Sequence, residues 1–199
     1  MSASAHRPFS VCVYCASSGA APTELVEAAA KFGLILAQEG VRLVYGGGGI
    51  GLMGACARAA HEAGGEVLGV IPGFLTEHEA AYARVETVVV GTMHERKMRM
   101  FEEADAFAVL PGAIGTLEEA IELLSWRRLG LHAKPIVFFN PAGFWDPLFA
   151  LFAQLQDMRL LPPEFADCWR QVNRIEDLLP MLRAEPEGEP VVVPIIQRA

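Results

Sequence analysis

The sequence predicts an α/β fold, a single Rossmann-like domain whose mostly parallel sheet is covered by helices on both faces. Three observations lead there. Short β-branched runs alternate with longer segments of helical periodicity, the pattern of strands joined by crossover helices. Two glycine-rich stretches stand directly between a strand and a helix. The 199 residues, 52% of them hydrophobic, suffice for one well-buried domain and are few for two.

The elements follow in order. Ser10–Cys15 reads as the first strand and Val41–Tyr45 as the second. Between them Pro22-Thr23 starts a helix with Leu25, Ala28, Phe32, Ile35 and Leu36 on one stripe, and Gly40 ends it. Leu52–Ala63 reads as a helix closed by Gly64-Gly65, and Glu66–Ile71 as a buried strand stopped by Pro72. A polar loop runs through Arg84, followed by a strand at Thr87–Val90 and a helix from near Met93. Ala106–Leu110 is a strand, Thr116–Leu129 a helix and Pro135–Asn140 a strand; helices around Gly143–Gln156 and Glu176–Leu182 complete the set. With no repeat and no linker, one domain over 1–199 is expected, its core at about 10–183 and a Pro- and Glu-rich tail at 184–199.

Composition narrows the function classes. A formal net charge of −8 argues against DNA or RNA as partner, though not against a small anion in a local basic pocket. The first ten residues lack the apolar core of a signal peptide. The apolar stretch from Pro135 to Leu155 is broken by Pro141, Asp146 and Pro147, so no membrane span is expected. Four scattered cysteines do not make a disulfide scaffold, and a cytoplasmic protein is expected. Cys12 and Cys15 point to opposite faces of a strand, which suits neither a disulfide nor a metal. The histidines show no zinc-ligand spacing, and His61, His78 and His132 read as loop or surface residues; no metal is expected.

Three segments carry chemistry. Gly46-Gly47-Gly48-Gly49-Ile50-Gly51-Leu52-Met53-Gly54 follows a strand and opens a helix, with six glycines in nine residues. Glycines let a ligand approach the backbone, and a helix start offers free N–H groups to a phosphate. The spacing fits a dinucleotide loop, but no acidic residue ends the next strand and no Gly-Lys-Ser/Thr follows. A tight strand-to-helix turn is the plain alternative, but six glycines exceed what a turn needs, so anion binding is favoured over it, as over a nicotinamide site or a P-loop. Pro111-Gly112-Ala113-Ile114-Gly115-Thr116-Leu117-Glu118-Glu119 stands in the same setting. There Thr116 and Glu119 have capping-box spacing, so a structural and a functional Glu119 are both open. Met93-His94-Glu95-Arg96-Lys97, with Arg99, places cations in the first turn of a helix, where the macrodipole disfavours them. An anionic ligand clamped by Arg96 and Lys97 would offset that placement; a solvated surface face is the plainer alternative.

Together these motifs, with Ser125-Trp126-Arg127-Arg128-Leu129-Gly130-Leu131-His132-Ala133-Lys134-Pro135, resemble the Lonely Guy family of cytokinin riboside 5′-monophosphate phosphoribohydrolases, long labelled lysine decarboxylases. The resemblance runs from about Val11 to Leu161. It implies hydrolysis of the N-glycosidic bond of a purine nucleoside 5′-monophosphate, with no cofactor. Arg96 and Glu119 would be catalytic. Lys97, Gly112, Ala113, Ile114, Gly115, Thr116 and Ser125 would hold substrate, as would Glu79. Gly46, Gly47, Gly48, Gly51 and Met53 would form the phosphate loop. Nothing suggests a lysine poised for pyridoxal phosphate, so the decarboxylase label finds no support.

One position departs: the family writes Pro-Gly-Gly-x-Gly-Thr-x-x-Glu, and Ala113 stands at the second glycine. If that glycine needs positive φ, alanine would strain the loop or weaken a contact. This departure keeps open a nucleotide-sensing module of the same fold without hydrolysis. A homodimer is also expected, partly from the resemblance. The sequence adds Ile121, Leu123, Leu124, Trp126 and Leu129 on one helix and Met98, Met100 and Phe101 on another, more apolar surface than one packing stripe needs.

Overall fold

The computed structural model describes residues 7–76, 80 and 82–184. Seven strands are present: β1 (Ser10–Tyr14), β2 (Arg42–Tyr45), β3 (Val67–Pro72), β4 (Glu86–Val90), β5 (Ala106–Val109), β6 (Ile136–Phe139) and β7 (Arg170–Val172). They form one sheet in the order β4-β3-β2-β1-β5-β6-β7. Parallel registers include Val11 opposite Leu43, Leu43 opposite Val67, and Val137 opposite Arg170. Every residue of β1, β3, β5 and β6 is buried. Since successive side chains point to opposite faces, both faces of these strands are covered, and this is why they read as continuous apolar runs.

The chain divides into two compact units. The first comprises the residues up to Val13 and Ser17–Asp105. Its helices are α1 (Thr23–Gln38), α2 (Gly51–Glu62) and α3 (Met93–Glu103). The buried stripe of α1 is Ala29, Phe32, Gly33 and Leu36, so it is centred one position off the expected set, with Leu25, Ala28 and Ile35 only half-buried. The cause is Gly33. A Cβ there would lie 2.1 Å from the Cys56 carbonyl oxygen, so α2 packs against bare α1 backbone. The amino-terminal side of this unit is tied by ions: Glu103 meets Arg42 at 2.7 Å and Arg99 at 2.8 Å, and Arg7 meets Asp105 at 2.8 Å.

The second unit comprises Tyr14–Ala16 and the chain from Ala106 onward. Its helices are α4 (Ile114–Arg128), α5 (Asp146–Asp157) and α6 (Leu178–Arg183). α5 starts three residues later than Gly143, because Pro141–Gly143 form a 3-10 turn with Ala142 and Gly143 at positive φ. α6 likewise follows a 3-10 turn at Ile175–Asp177. β7 is absent from the elements the sequence predicts. It has three residues at the sheet edge and is held by the buried Asn140, whose Nδ2 donates to Gln171 Oε1 at 2.9 Å and to Asp146 Oδ1 at 2.8 Å. His132 is more than a surface residue. Its Nε2 lies 3.0 Å from the Leu123 carbonyl oxygen, its Nδ1 accepts from the Lys134 amide at 3.2 Å, and burial lowers its pKa. Its neutral form is thus built into the turn after α4.

Replacing Gly33 by valine should destabilise the fold by about 1–3 kcal/mol or more, through overpacking against α2 backbone. Gly19→Ala, where a Cβ meets nothing within 4 Å, should be close to neutral. Urea unfolding of both variants checks this: equal midpoints would show that α1 and α2 do not need the bare contact.

Candidate active site

In the first unit the site is built where β2, β3 and β4 end. β2 runs into the glycine loop, of which Gly46–Gly48 are buried and Gly49 and Gly51 half-buried. Intrachain packing accounts for much of the glycine content. Gly47 and Gly51 have φ of +81° and +62°. A Cβ on Gly46 would stand 2.0 Å from Arg96 Nη2. The accessible part of the loop is therefore the Gly49–Gly51 turn, which leads into the buried first turn of α2, a helix start with no side-chain cap. Met53 is almost buried, and its Sδ faces the same Gly46 position.

β4 hands over to α3 through a cap that the spacing Thr92-x-x-Glu95 could have announced. Thr92 Oγ1 accepts from the Glu95 amide at 3.1 Å, and Glu95 Oε2 accepts from the Gly91 amide at 2.8 Å. So the first turn of α3 carries the acidic residue that the helix dipole favours. Of the cations after it, Arg99 pairs with Glu103 one turn on. Arg96 turns inward and is only 4% exposed. Its Nη2 donates to the Gly46 carbonyl at 2.8 Å and its Nε to the Val70 carbonyl at 3.2 Å. The structure thus joins Arg96 with the glycine loop and the end of β3. Lys97 is half-buried beside it in sequence.

In the second unit β5 runs through Leu110-Pro111-Gly112 to α4. This helix starts at Ile114, two residues before the expected Thr116, with Ala113 as N-cap. The capping-box reading of Thr116 and Glu119 is thereby overturned: Thr116 is the third helical residue and Glu119 the sixth. Thr116 instead packs its Oγ1 on Gly112, where a Cβ would come within 2.1 Å. The cap offers no side-chain hydrogen bond and the first turn holds no acidic residue, so the Ile114, Gly115 and Thr116 amides lack an intrahelical acceptor. Ala113 has φ −97° and ψ −154°, extended backbone that any residue adopts, so alanine at the family glycine brings no strain.

Glu119 is 6% exposed, between buried Thr116, Ala120 and Leu123. Carboxylates are seldom buried so deeply, and capping does not explain this one. Ser125 is exposed two turns on. Glu79 and His78 lie outside the described residues. Among the described residues no group of three or more His, Cys, Asp and Glu is placed to hold a metal ion. All four cysteines are free and buried; burial pushes the Cys56 thiol up to about 12 and raises that of Cys168, so neither supplies a thiolate nucleophile. Sequence reasoning missed Arg58, whose Nη1 donates to the Gly49 carbonyl at 2.6 Å. No short motif marks it, because the contact joins a helix to the loop before it.

The family profile described as possible lysine decarboxylase matches residues 53–182. A probable cytokinin riboside 5′-monophosphate phosphoribohydrolase of Oryza sativa subsp. japonica is 40% identical over 179 residues, 86% of this chain and 79% of its own length. The cytokinin riboside 5′-monophosphate phosphoribohydrolase LOG of the same plant is 46% identical over 138 residues, 69% of this chain and 57% of its own length. A further rice relative is matched over 64% of its length, so under two thirds of both these relatives is spanned. Among solved structures, the molybdenum cofactor binding protein of Rippkaea orientalis superposes with a TM-score of 0.66 at 22% identity, covering 88% of this chain and 96% of that one. At that identity the likeness speaks for the fold alone.

Gly46→Ala should expel the Arg96 guanidinium from its carbonyl cradle, since 2.0 Å leaves no room for both. The Arg96 Nε–H signal in proton NMR should be protected from exchange in the parent chain and lose that protection in the variant. Equal protection in both would show that the cradle does not depend on a bare Cα.

Proposed function

The chain belongs to the family described as possible lysine decarboxylase, which includes the cytokinin riboside 5′-monophosphate phosphoribohydrolases, and from that premise we propose that it hydrolyses the N-glycosidic bond of purine nucleoside 5′-monophosphates, AMP or its N6-substituted analogues, to free base and ribose 5-phosphate. The observation that carries the reading is Glu119, a carboxylate buried two turns into a helix whose start is uncapped and which it does not cap.

The chemistry asks for such a group. As the C1′–N9 bond breaks, positive charge builds on the sugar and negative charge on the departing base. A carboxylate beside C1′ stabilises the cation and orients a water whose oxygen bonds to C1′, while its proton ends on the base. Arg96 does not serve as a proton donor, since a guanidinium stays charged at any working pH. Its part is to supply fixed positive charge and to hold the Gly46 loop. Lys97 adds binding charge, Ser125 and Glu79 contact substrate, and the amides of Ile114, Gly115 and Thr116, with Gly112 and Ala113 before them, receive anionic oxygens. The glycine loop at Gly46, Gly47, Gly48 and Gly51, with Met53, belongs to the same task. The sensing-module alternative loses its motive, because Ala113 sits in unstrained extended backbone.

The working form we propose is a cytoplasmic homodimer that uses no cofactor. Four free cysteines suit a reducing compartment. Among the described residues no helix is long and apolar enough to cross a membrane. For the dimer, α4 exposes Ile114 at 80% and Ile121 at 41%, and Leu129 and Leu131 after it are exposed too. Leu123, Leu124 and Met100 are core, while Trp126, Met98 and Phe101 are half-buried, so the apolar surface is smaller than the sequence suggested and centred on α4.

Incubation with AMP should release adenine and ribose 5-phosphate, and adenosine should be a far poorer substrate because the anion-binding amides then stay unpaired. Glu119→Gln should abolish base release while the chain stays folded; turnover near that of the parent chain would remove Glu119 from the mechanism.

A further inference from the structure

We propose that Arg58 is a positioning residue for this activity: through the Gly49 carbonyl it sets the angle at which the glycine loop enters α2, and so the aim of the amides at that helix start. The proposal rests on the reading of the loop as the seat of a nucleotide phosphate.

The start of α2 lacks each usual device for fixing a helix entrance. Its N-cap, Ile50, is extended with φ −120° and ψ 170° and makes no side-chain hydrogen bond; no acidic residue stands in the first turn. A hydrophobic staple pairs the residue before the cap with the fourth helical residue. Here those two are Gly49 and Gly54, which have no side chains to pair. Instead the Gly49 carbonyl lies on the bare Gly54 Cα, where a Cβ would be 2.1 Å from that oxygen. Arg58, one turn further along, donates its Nη1 to the same oxygen at 2.6 Å. The distance is that of a strong charge-assisted bond.

The loop is therefore gripped by two guanidinium groups at carbonyls three residues apart. Arg96 holds Gly46 and Arg58 holds Gly49. Between and after them the backbone must present the Gly51, Leu52 and Met53 amides, which no carbonyl within the helix can satisfy. Releasing Gly49 frees the junction to rotate and scatters those amides relative to the ligand. Fold and core stay in place, because Arg58 itself is only half-buried and α2 keeps its packing on α1.

A mere prop and a positioning residue differ in what they move. Loss of a hydrogen bond to a charged group corresponds to about tenfold to a hundredfold in an equilibrium constant. Arg58→Ala should raise KM for AMP about tenfold or more while kcat stays within about threefold. It should also shrink the AMP-dependent rise in Tm of a chain carrying Glu119→Gln, a readout that needs no turnover. Arg58→Lys should recover most of both, since an ammonium can reach the same carbonyl. An unchanged KM in Arg58→Ala overturns the proposal. So does a parallel loss of kcat, KM and ligand-free Tm that lysine fails to rescue. Should Arg58→Ala not fold, Arg58→Gln takes its place with the same two readouts. If the parent chain binds AMP but releases no base, the proposed hydrolysis falls and the role of Arg58 stands; if AMP does not raise the Tm of the parent chain, both fall.

Discussion

The structure of the first unit turns on one buried group, the guanidinium of Arg96, and on the two carbonyls it holds. A guanidinium taken out of water needs acceptors for its N–H groups, and the ends of parallel strands supply them. Gly46 O belongs to the chain leaving β2 and Val70 O to β3, so one side chain of α3 ties together three segments. The constraint runs backwards into the sequence. Position 46 tolerates no Cβ, and α3 must start squarely enough to aim its fourth residue inward, which the Thr92–Glu95 cap secures. What looks in sequence like a surplus of cations at a helix start is a set with separate duties. Arg96 serves the loop, Arg99 serves Glu103, and a ligand-binding role is proposed for Lys97 beside the charge of Arg96.

The second unit solves a related problem with fewer polar contacts. The turn from β5 into α4 uses extended Ala113 as a cap without a side-chain acceptor, and Thr116 turns its hydroxyl back on Gly112. The amides of the first turn are left for something outside the helix, and Glu119 is set below them rather than among them. An uncapped start costs a helix about 1 kcal/mol relative to a good cap, a small sum that a bound anion can return.

Much of this was legible in the sequence, for physical reasons that also mark where reading stops. β1, β2, β3, β5 and β6 stand out because strands buried on both faces must be apolar at nearly every position. β7, Arg170–Val172, carries no such run, and its place depends on Asn140, a contact thirty-one residues away in sequence. Gly33, a glycine inside a helix, has its reason in the carbonyl of Cys56 on the next helix, a contact that no local pattern announces. The two helix starts that matter most look alike in sequence: the capping-box spacing at Thr116, one of two readings open there, makes no cap, and the same spacing at Thr92 makes one. Both segments have the spacing, and spacing does not tell which residue the chain turns on. The glycine content of the loop favours a phosphate cradle over a plain turn, while the packing of Arg96 on Gly46 and of Arg58 on Gly54 comes from the helices that follow and leaves no mark in the motif.

On the proposed function, Arg96 is both the pin of the glycine loop and a charge the substrate needs. Arg96→Lys separates the two: lysine keeps the charge but cannot span two carbonyls with a rigid fork. The direct measurement is kcat/KM for AMP of this variant beside its ligand-free Tm. The account predicts a fall of about a hundredfold or more in kcat/KM, with the chain still folded. A lysine variant with the parent's kcat/KM would contradict it, because charge alone would then suffice and the carbonyl cradle would have no part in function.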